Sequence, residues 1–123
     1  MKIVHAEERG ASAVEFALIL PILLLLVVGI AEFGRAYNVQ TVLADAARVG
    51  VRTMAIHSDV TQAKSAAVDV ATSVSLTSNE VTVTPSTCEG TTDPATVTVT
   101  HDVDLIFFGE VEITGKATMR CNG

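Results

Sequence analysis

The most prominent pattern in the chain is an apolar run near its N-terminus. Nineteen residues from Ala13 to Ala31 include only one charged residue, Glu15. A helix of about 20 residues covers a hydrocarbon core of about 30 Å, so the run predicts a transmembrane helix over residues 13–31. The alternative is a cleaved secretory signal, whose apolar centre usually has about 7–15 residues and precedes a small-residue cleavage site. The uninterrupted part, from Ala17 to Ala31, is at that upper limit, and the residues that follow it directly are "EFGRAYN".

Three residues within or just after the run are candidate positions for a kink or for helix packing. Pro21 lacks the N–H that would bond to the carbonyl of Ala17, so we expect a bend or a local loosening there. Gly29 and Gly34 are further weak points, or positions where another helix can approach closely, although their spacing is not GxxxG.

Beyond Ala31 the pattern becomes amphipathic. Polar residues recur at intervals of three and four, which is the period of one helix face. They are Asn38, Thr41, Asp45, Arg48 and Arg52. The opposite face is apolar and rich in small residues: Val39, Val42, Leu43, Ala46, Ala47, Val49 and Gly50. No proline occurs between Ile22 and Pro85, so we predict one helix over residues 11–55, about 65 Å long at 1.5 Å per residue.

A second, shorter helix is predicted after the long one. Ser58 and Asp59 offer an N-cap, with Gln62 as a possible capping-box partner. An apolar stripe then follows at helical spacing, formed by Ala63, Ala66, Ala67, Val70, Ala71 and Val74. We therefore expect a helix from about Asp59 to about Ser75 whose apolar face docks on a sheet.

From Glu80 onwards the period changes to two, which is typical of strands with one buried face. Four stretches alternate apolar residues with threonine or an acid: "EVTVTP", "ATVTVT", "DVDLIFF" and "EVEITGKATM". His101 and Asp102 are predicted to mark a corner between the second and third strands. The predicted fold class is therefore α+β: a long N-terminal transmembrane helix continuing into an amphipathic helix, a second short helix, and a small antiparallel sheet of about four strands. Residues 56–123 would form the cap.

Two cysteines, Cys88 and Cys121, lie in the C-terminal third. If that third is exported, an intramolecular disulfide is their expected use. It would close a loop of about 33 residues and stabilise a small core by about 3–4 kcal/mol. The rival use is a metal site with His101, but the three residues lack the close ligand pairs of a zinc site. We expect no metal there.

The stretch "DLIFFGE" holds half of the phenylalanines of the chain. One interpretation is core filling by Leu105 and Phe107. The other is a surface patch in which Phe108 touches lipid headgroups or a partner subunit. The sequence leaves both open.

Charge and motifs argue against several functions. The net charge is −6, with 14 acids and 8 bases and no basic cluster, so we expect no nucleic-acid partner, because phosphate binding needs a basic patch. No nucleophile elbow, zinc-protease, P-loop or dinucleotide motif occurs. Asp102 and Asp104 lie on one strand face, but two carboxylates do not make a calcium site. We expect no enzyme, no catalytic residues, no cofactor and no small-molecule substrate.

The segment from Arg9 to Arg52, "RGASAVEFALILPILLLLVVGIAEFGRAYNVQTVLADAARVGVR", resembles the TadE-like family of pilin-like proteins from bacterial tight-adherence (Tad) pilus systems. The likeness covers a little over a third of the chain. It combines Arg-Gly before a small residue, a Glu five residues past that glycine, a proline within the apolar run, and then Glu-Phe-Gly-Arg and Ala-Ala-Arg. Each motif is weak alone, and the combination is specific.

The resemblance implies that residues 1–10 are a prepilin leader. A prepilin peptidase in the inner membrane would cut after Gly10, and Ala11 would become the new N-terminus. Glu15 would support this processing, or would pair with the terminal amine of a neighbouring subunit. An ammonium partner would offset much of the cost of holding a carboxylate near hydrocarbon. The alternative is an interfacial Glu15 that only reaches the lipid headgroups.

The resemblance also implies an orientation that the charges flanking the span do not decide. Residues 1–10 would be cytoplasmic, and the cap would be periplasmic or part of a surface pilus. An oxidising compartment agrees with a disulfide between Cys88 and Cys121.

The chain departs from the major pilin of such systems, which is little more than the helix and has Glu-Tyr where this chain has Glu15 and Phe16. The added cap indicates a minor pilin or pseudopilin that acts in pilus assembly, priming or adherence. Its expected partners are the inner membrane, the prepilin peptidase, other pilin-like subunits and the Tad assembly platform. The alternative is a single-span anchor whose cap binds a ligand or a cell-surface partner without entering a pilus.

Overall fold

The computed structural model describes the backbone of residues 2–122 and the side chains of residues 8–122. The chain forms a long helix, a short helix and a three-stranded antiparallel sheet in the order β1-β2-β3, which confirms the α+β class. The elements are α1 (Lys2–His57), α2 (Val60–Val70), a 3₁₀ turn (Ser78–Glu80), β1 (Val81–Thr84), β2 (Pro94–Leu105) and β3 (Gly109–Arg120). They divide into two compact units: an N-terminal unit up to Gly34 and a C-terminal unit from Arg35 onwards.

The N-terminal unit consists of the apolar part of α1. The helix continues through Pro21 without interruption. Its described part is long and apolar enough to cross a membrane, with a mean hydropathy of 2.8 over its most apolar 18 residues, none of them buried. Whether Pro21 bends the helix stays a prediction.

In the C-terminal unit, α1 is amphipathic as predicted. All five residues of the polar stripe are exposed. The opposite face is buried, and its fully or nearly fully buried apolar residues are Val39, Leu43, Ala46, Ala47, Val51, Met54 and Ala55. The helix ends at His57, two residues beyond the predicted end.

Helix α2 begins where the capping pattern predicted. The Asp59 carboxylate accepts hydrogen bonds from the backbone N–H groups of Thr61 (2.9 Å) and Gln62 (3.2 Å), which satisfies donors that the first turn leaves unpaired. The predicted C-terminal end near Ser75 is wrong, because α2 stops at Val70. The residues after Ala71 are Thr-Ser-Val-Ser, all poorer helix formers than alanine.

The sheet has three strands where about four were predicted. The second and third predicted strands are one strand, β2, paired with β3 over twelve residues from Pro94↔Arg120 to Leu105↔Gly109. The predicted corner at His101 and Asp102 is wrong, because both residues pair within this ladder. The two stretches share one alternation: the odd-numbered positions from Ala95 to Val103 all turn to the same face. Nothing in the sequence breaks that phase.

Two glycines let α1 lie close to its neighbours in the C-terminal unit. A β-carbon on Gly50 would meet Ala63, Ala67 and Val97 atoms at 3.3 Å. At Gly115 the approach is closer, because a β-carbon would lie 2.5 Å from the backbone carbon of Leu43. Helix α1 therefore contacts α2, β2 and β3 through surfaces that admit no added atoms.

We predict that Gly115→Ala destabilises the C-terminal unit. Because the clashing atoms belong to the helix backbone, relief requires a shift of α1 from β3, and overpacking of this kind costs about 1–3 kcal/mol or more. Thermal unfolding of the full chain in detergent, followed by circular dichroism, measures the loss. The control is Gly34→Ala, a helical position with no atom within 4 Å of the added β-carbon. Equal stability of the two variants would contradict the close-packing account.

Candidate functional site

The predicted cleavage junction and Glu15 lie on the exposed surface of α1. Gly10, Ala11 and Glu15 are all exposed, and a β-carbon at Gly10 would meet nothing within 4 Å. Ala11 and Glu15 are four residues apart in one helix, so they share a face. The side chains of residues 1–7 in the predicted leader lie outside the described residues. The role of Glu15 in processing or in pairing with a neighbouring subunit stays a prediction.

The predicted packing positions face open space. A β-carbon at Gly29 or Gly34 would meet no atom within 4 Å. Pro21 is exposed. Apart from the half-buried Val28, the large apolar side chains of this part of the helix are exposed as well, by between 38% for Leu20 and 77% for Phe33. A contiguous apolar surface of this extent indicates contact with lipid or with other helices.

The Cys88–Cys121 disulfide ties the end of β3 to the loop after β1. Both cysteines are buried, and their Cα atoms are 5.3 Å apart. The Ser58 hydroxyl, between α1 and α2, accepts a hydrogen bond from the Cys88 N–H at 2.7 Å. The Asn122 side-chain amide donates to the carbonyls of Cys88 (3.0 Å) and Thr91 (3.1 Å). The disulfide therefore joins a region where the helix junction, a loop and the last strand meet.

A polar groove of about 380 Å³ lies at the other end of the C-terminal unit. Its lining comes from α1, the loop after α2, and β2: Arg35, Asn38, Val39, Ser73, Val74, Ser75, His101, Asp102, Val103 and Asp104. The Arg35 guanidinium donates a hydrogen bond to the backbone carbonyl of Asp104, with a nitrogen–oxygen distance of 3.4 Å. Among the described residues, no group of three or more His, Cys, Asp or Glu side chains is placed to hold a metal ion.

Glu80 and His101 form a pair beside this groove that the sequence did not predict. The Nδ1 atom of His101 lies 2.6 Å from the Glu80 carboxylate, and both side chains are partly buried. Glu80 also closes the 3₁₀ turn, because its carboxylate accepts hydrogen bonds from the N–H and the hydroxyl of Thr77, each at 3.0 Å. A signal was available: His101 occupies an inward position of the β2 alternation, where it needs a buried polar partner.

Two opposing effects act on the pKa of the Glu80 carboxyl. Burial by itself acts to raise the pKa of this carboxyl, but the hydrogen bonds from the Thr77 backbone and from His101 outweigh it and hold the pKa below its ordinary value of 4.5. A carboxyl with a lowered pKa in the folded state stabilises the fold above its unfolded pKa. That contribution is lost as the pH falls through the lowered pKa.

We therefore predict that Glu80→Gln lowers the free energy of unfolding at pH 7 by about 1 kcal/mol, the usual net value of a hydrogen bond. It should also reduce the fall in the free energy of unfolding as the pH drops below 4.5, where the wild-type Glu80 takes up its proton. Thermal unfolding at a series of pH values in detergent measures both effects. Glu89→Gln is the matched control, since Glu89 is an exposed loop residue. If Glu80→Gln loses stability below pH 4.5 as steeply as the wild type does, the lowered pKa of Glu80 is contradicted.

The "DLIFFGE" stretch forms the turn between β2 and β3. Leu105 is half-buried against the core, whereas Ile106, Phe107 and Phe108 are 79%, 56% and 71% exposed. The core-filling interpretation is therefore right for Leu105 and wrong for Phe107. The three exposed residues form an apolar surface patch.

Carboxylates flank this turn. Asp104 pairs with Glu110 and Asp102 with Glu112, so like charges stand directly opposite each other in the β2–β3 ladder. Electrostatic repulsion by Asp102, with a smaller contribution from Asp104, raises the pKa of the exposed Glu110. Opposed like charges destabilise a strand pair, so the strands here are held by their other interactions.

A comparison with known protein families finds a match within helix α1. Residues 10–52 match the family model described as TadE-like protein. No curated protein and no solved structure matches the chain. The matched residues begin at the predicted cleavage junction, include Glu15 and the apolar run, and end on the amphipathic part of α1. This chain therefore carries a TadE-like segment over residues 10–52. The motifs between Arg9 and Arg52 indicated the same family.

Proposed function

We propose that this protein is a minor pilin or pseudopilin of a Tad or related type IVb pilus, inserted in the bacterial inner membrane and acting in pilus assembly, priming or adherence. The observation that carries the proposal is that the TadE-like match and the exposed apolar surface lie on the same helix. A helix that is apolar on its exposed surface suits lipid before assembly and neighbouring helices afterwards. Its role is structural, without enzymatic chemistry.

In this proposal a prepilin peptidase removes residues 1–10 by cutting between Gly10 and Ala11. The exposure of both residues supports access to the peptide bond. After the cut, Glu15 would stand in the second turn of the mature helix. The new ammonium group of an adjoining subunit would offset the cost of holding that charge near hydrocarbon.

The proposed orientation places the leader in the cytoplasm and the C-terminal unit in the periplasm or on the surface pilus. The Cys88–Cys121 disulfide supports it, because disulfides persist in oxidising compartments such as the periplasm. The partners in this setting are the prepilin peptidase, other pilin-like subunits and the Tad assembly platform.

The size of the C-terminal unit favours a minor subunit over the major pilin. It holds a complete helix-on-sheet core closed by a disulfide, in addition to the helix needed for assembly. A subunit present in few copies can carry such an addition, because the addition does not have to fit at every repeat of the fibre. The competing function, a single-span anchor with a binding cap, would need the span and the cap but neither cleavage nor Glu15.

We predict that the mature protein begins at Ala11 and that Glu15→Gln blocks its assembly. Removing the charge removes the attraction to a neighbouring ammonium while leaving an apolar span that still inserts. Mass spectrometry of the N-terminal peptide identifies the cleavage site, and immunoblots of membrane and sheared-pilus fractions measure assembly.

The matched control is Asp45→Asn, which removes a carboxylate from the exposed polar stripe of the same helix. It should be processed and assembled like the wild type. An intact Met1 in cells with an active prepilin peptidase, or normal assembly of Glu15→Gln, would contradict the proposal and favour the simple anchor.

A further inference from the structure

The turn between β2 and β3 exposes three consecutive large apolar residues. Ile106, Phe107 and Phe108, here called the hairpin tip, are 79%, 56% and 71% exposed. Residues in tight turns are usually small or polar, and exposed apolar patches on proteins commonly mark an interaction site.

Contacts within the C-terminal unit show which way the hairpin runs along α1. Gly50 lies against Val97, whereas Arg35 hydrogen-bonds to Asp104. Going from Gly50 to Arg35 covers 15 residues of helix, about 22 Å. Going from Val97 to Asp104 covers seven residues of strand, about 23 Å. The equal lengths show that β2 follows α1 side by side towards the Arg35 end.

A third contact lies between these two. Leu43 on α1 touches Gly115 on β3, and Gly115 pairs with Val99 on β2. Mapped onto β2 through this pairing, the contacts run in the same order along the strand as along α1. The tip begins two residues beyond Asp104, so it lies at the Arg35 end of the C-terminal unit.

That end of the unit is where the chain arrives from the apolar run. Arg35 follows Ala31, the last residue of the predicted span, by four helical residues, or about 6 Å. Tyr37, two residues further on, is 68% exposed, and tyrosine is enriched at membrane interfaces. A second aromatic group thus lies near the same end of the unit as Phe108.

We propose that the hairpin tip inserts into the headgroup region of the membrane that α1 spans, as a second point of attachment for the C-terminal unit. Apolar and aromatic side chains are stable at the boundary between headgroups and acyl chains. The occupant is lipid, because the covalent link to the span keeps a bilayer surface close to this end for as long as the span is in the membrane. The hydrophobic effect drives the insertion, and electrostatic attraction does not, because anionic headgroups would repel the flanking Asp104 and Glu110 carboxylates. The proposal needs the membrane span and is independent of cleavage and of pilus assembly.

The absence of tryptophan from the sequence makes a direct test possible. Phe108→Trp in the full chain gives a single fluorescent reporter at the tip. The protein is reconstituted at low density in phosphatidylcholine bilayers, with or without lipids brominated near the headgroup end of their acyl chains. We expect a blue-shifted emission that the brominated lipids quench.

The control is Ile56→Trp. Ile56 is also exposed, at 64%, and it lies 21 residues beyond Arg35 on α1, about 31 Å along the helix. Its reporter should show the emission of tryptophan in water and no quenching by brominated lipid. Phe107→Trp is measured in parallel, so that a folding failure of one tip variant, detected by circular dichroism, leaves a second reading.

Two outcomes would overturn the proposal. In the first, the tip reporter matches the Ile56→Trp control in every bilayer. In the second, the tip reporter is shielded only at high protein density and without bromine quenching, which would assign the tip to contact with another copy of the chain. Neither outcome bears on cleavage at Gly10 or on the effect of Glu15→Gln, so the two proposals fail separately.

Discussion

The structure depends on one constraint: the apolar surface of the N-terminal part of α1 has to be covered. Apolar side chains from Val14 to Phe33 stay largely exposed in the single chain. Each one left in water forfeits the free energy of burial, about 1.5–3 kcal/mol for a large side chain. A lipid bilayer meets this demand for a lone subunit, and neighbouring helices meet it in an assembly. The TadE-like match falls on this helix, so the family likeness and the physical demand concern the same residues.

The same helix serves a different purpose in the C-terminal unit, where it becomes one wall of a small core. Small residues such as Ala46, Ala47 and Gly50 let α1 approach the sheet, and Gly115 on β3 removes the last obstacle. Close backbone approach compensates for a core with few aromatic residues. The disulfide fastens the region far from Arg35, while the Arg35–Asp104 hydrogen bond joins α1 to β2 near the hairpin tip. Helix and hairpin are thereby held side by side along their shared length.

Much of the fold could be predicted because local patterns decide it. The exposed stripe of α1 and the Asp59 cap follow from spacing and from the side-chain chemistry of single residues. The fourth strand is wrong because the alternation passes through His101 and Asp102 in phase, so that no corner forms there. Contacts between residues that are distant in the sequence cannot be predicted from local patterns. The Glu80–His101 pair requires β1 and β2 to be in register, and the burial of Leu105 beside an exposed Phe107 depends on where the ladder ends. Gly115 looks like any strand glycine until the Leu43 backbone is placed against it.

The central claim is that the apolar surface of α1 is an assembly surface and not only a lipid anchor. A photoreactive amino acid in place of Ile30, which is 68% exposed, tests it most directly in cells that assemble the pilus. We expect light-dependent adducts with another pilin-like subunit in the sheared-pilus fraction, identified by mass spectrometry, and their loss when the assembly platform is deleted. Adducts with lipid alone, in cells that display normal pili, would contradict the account.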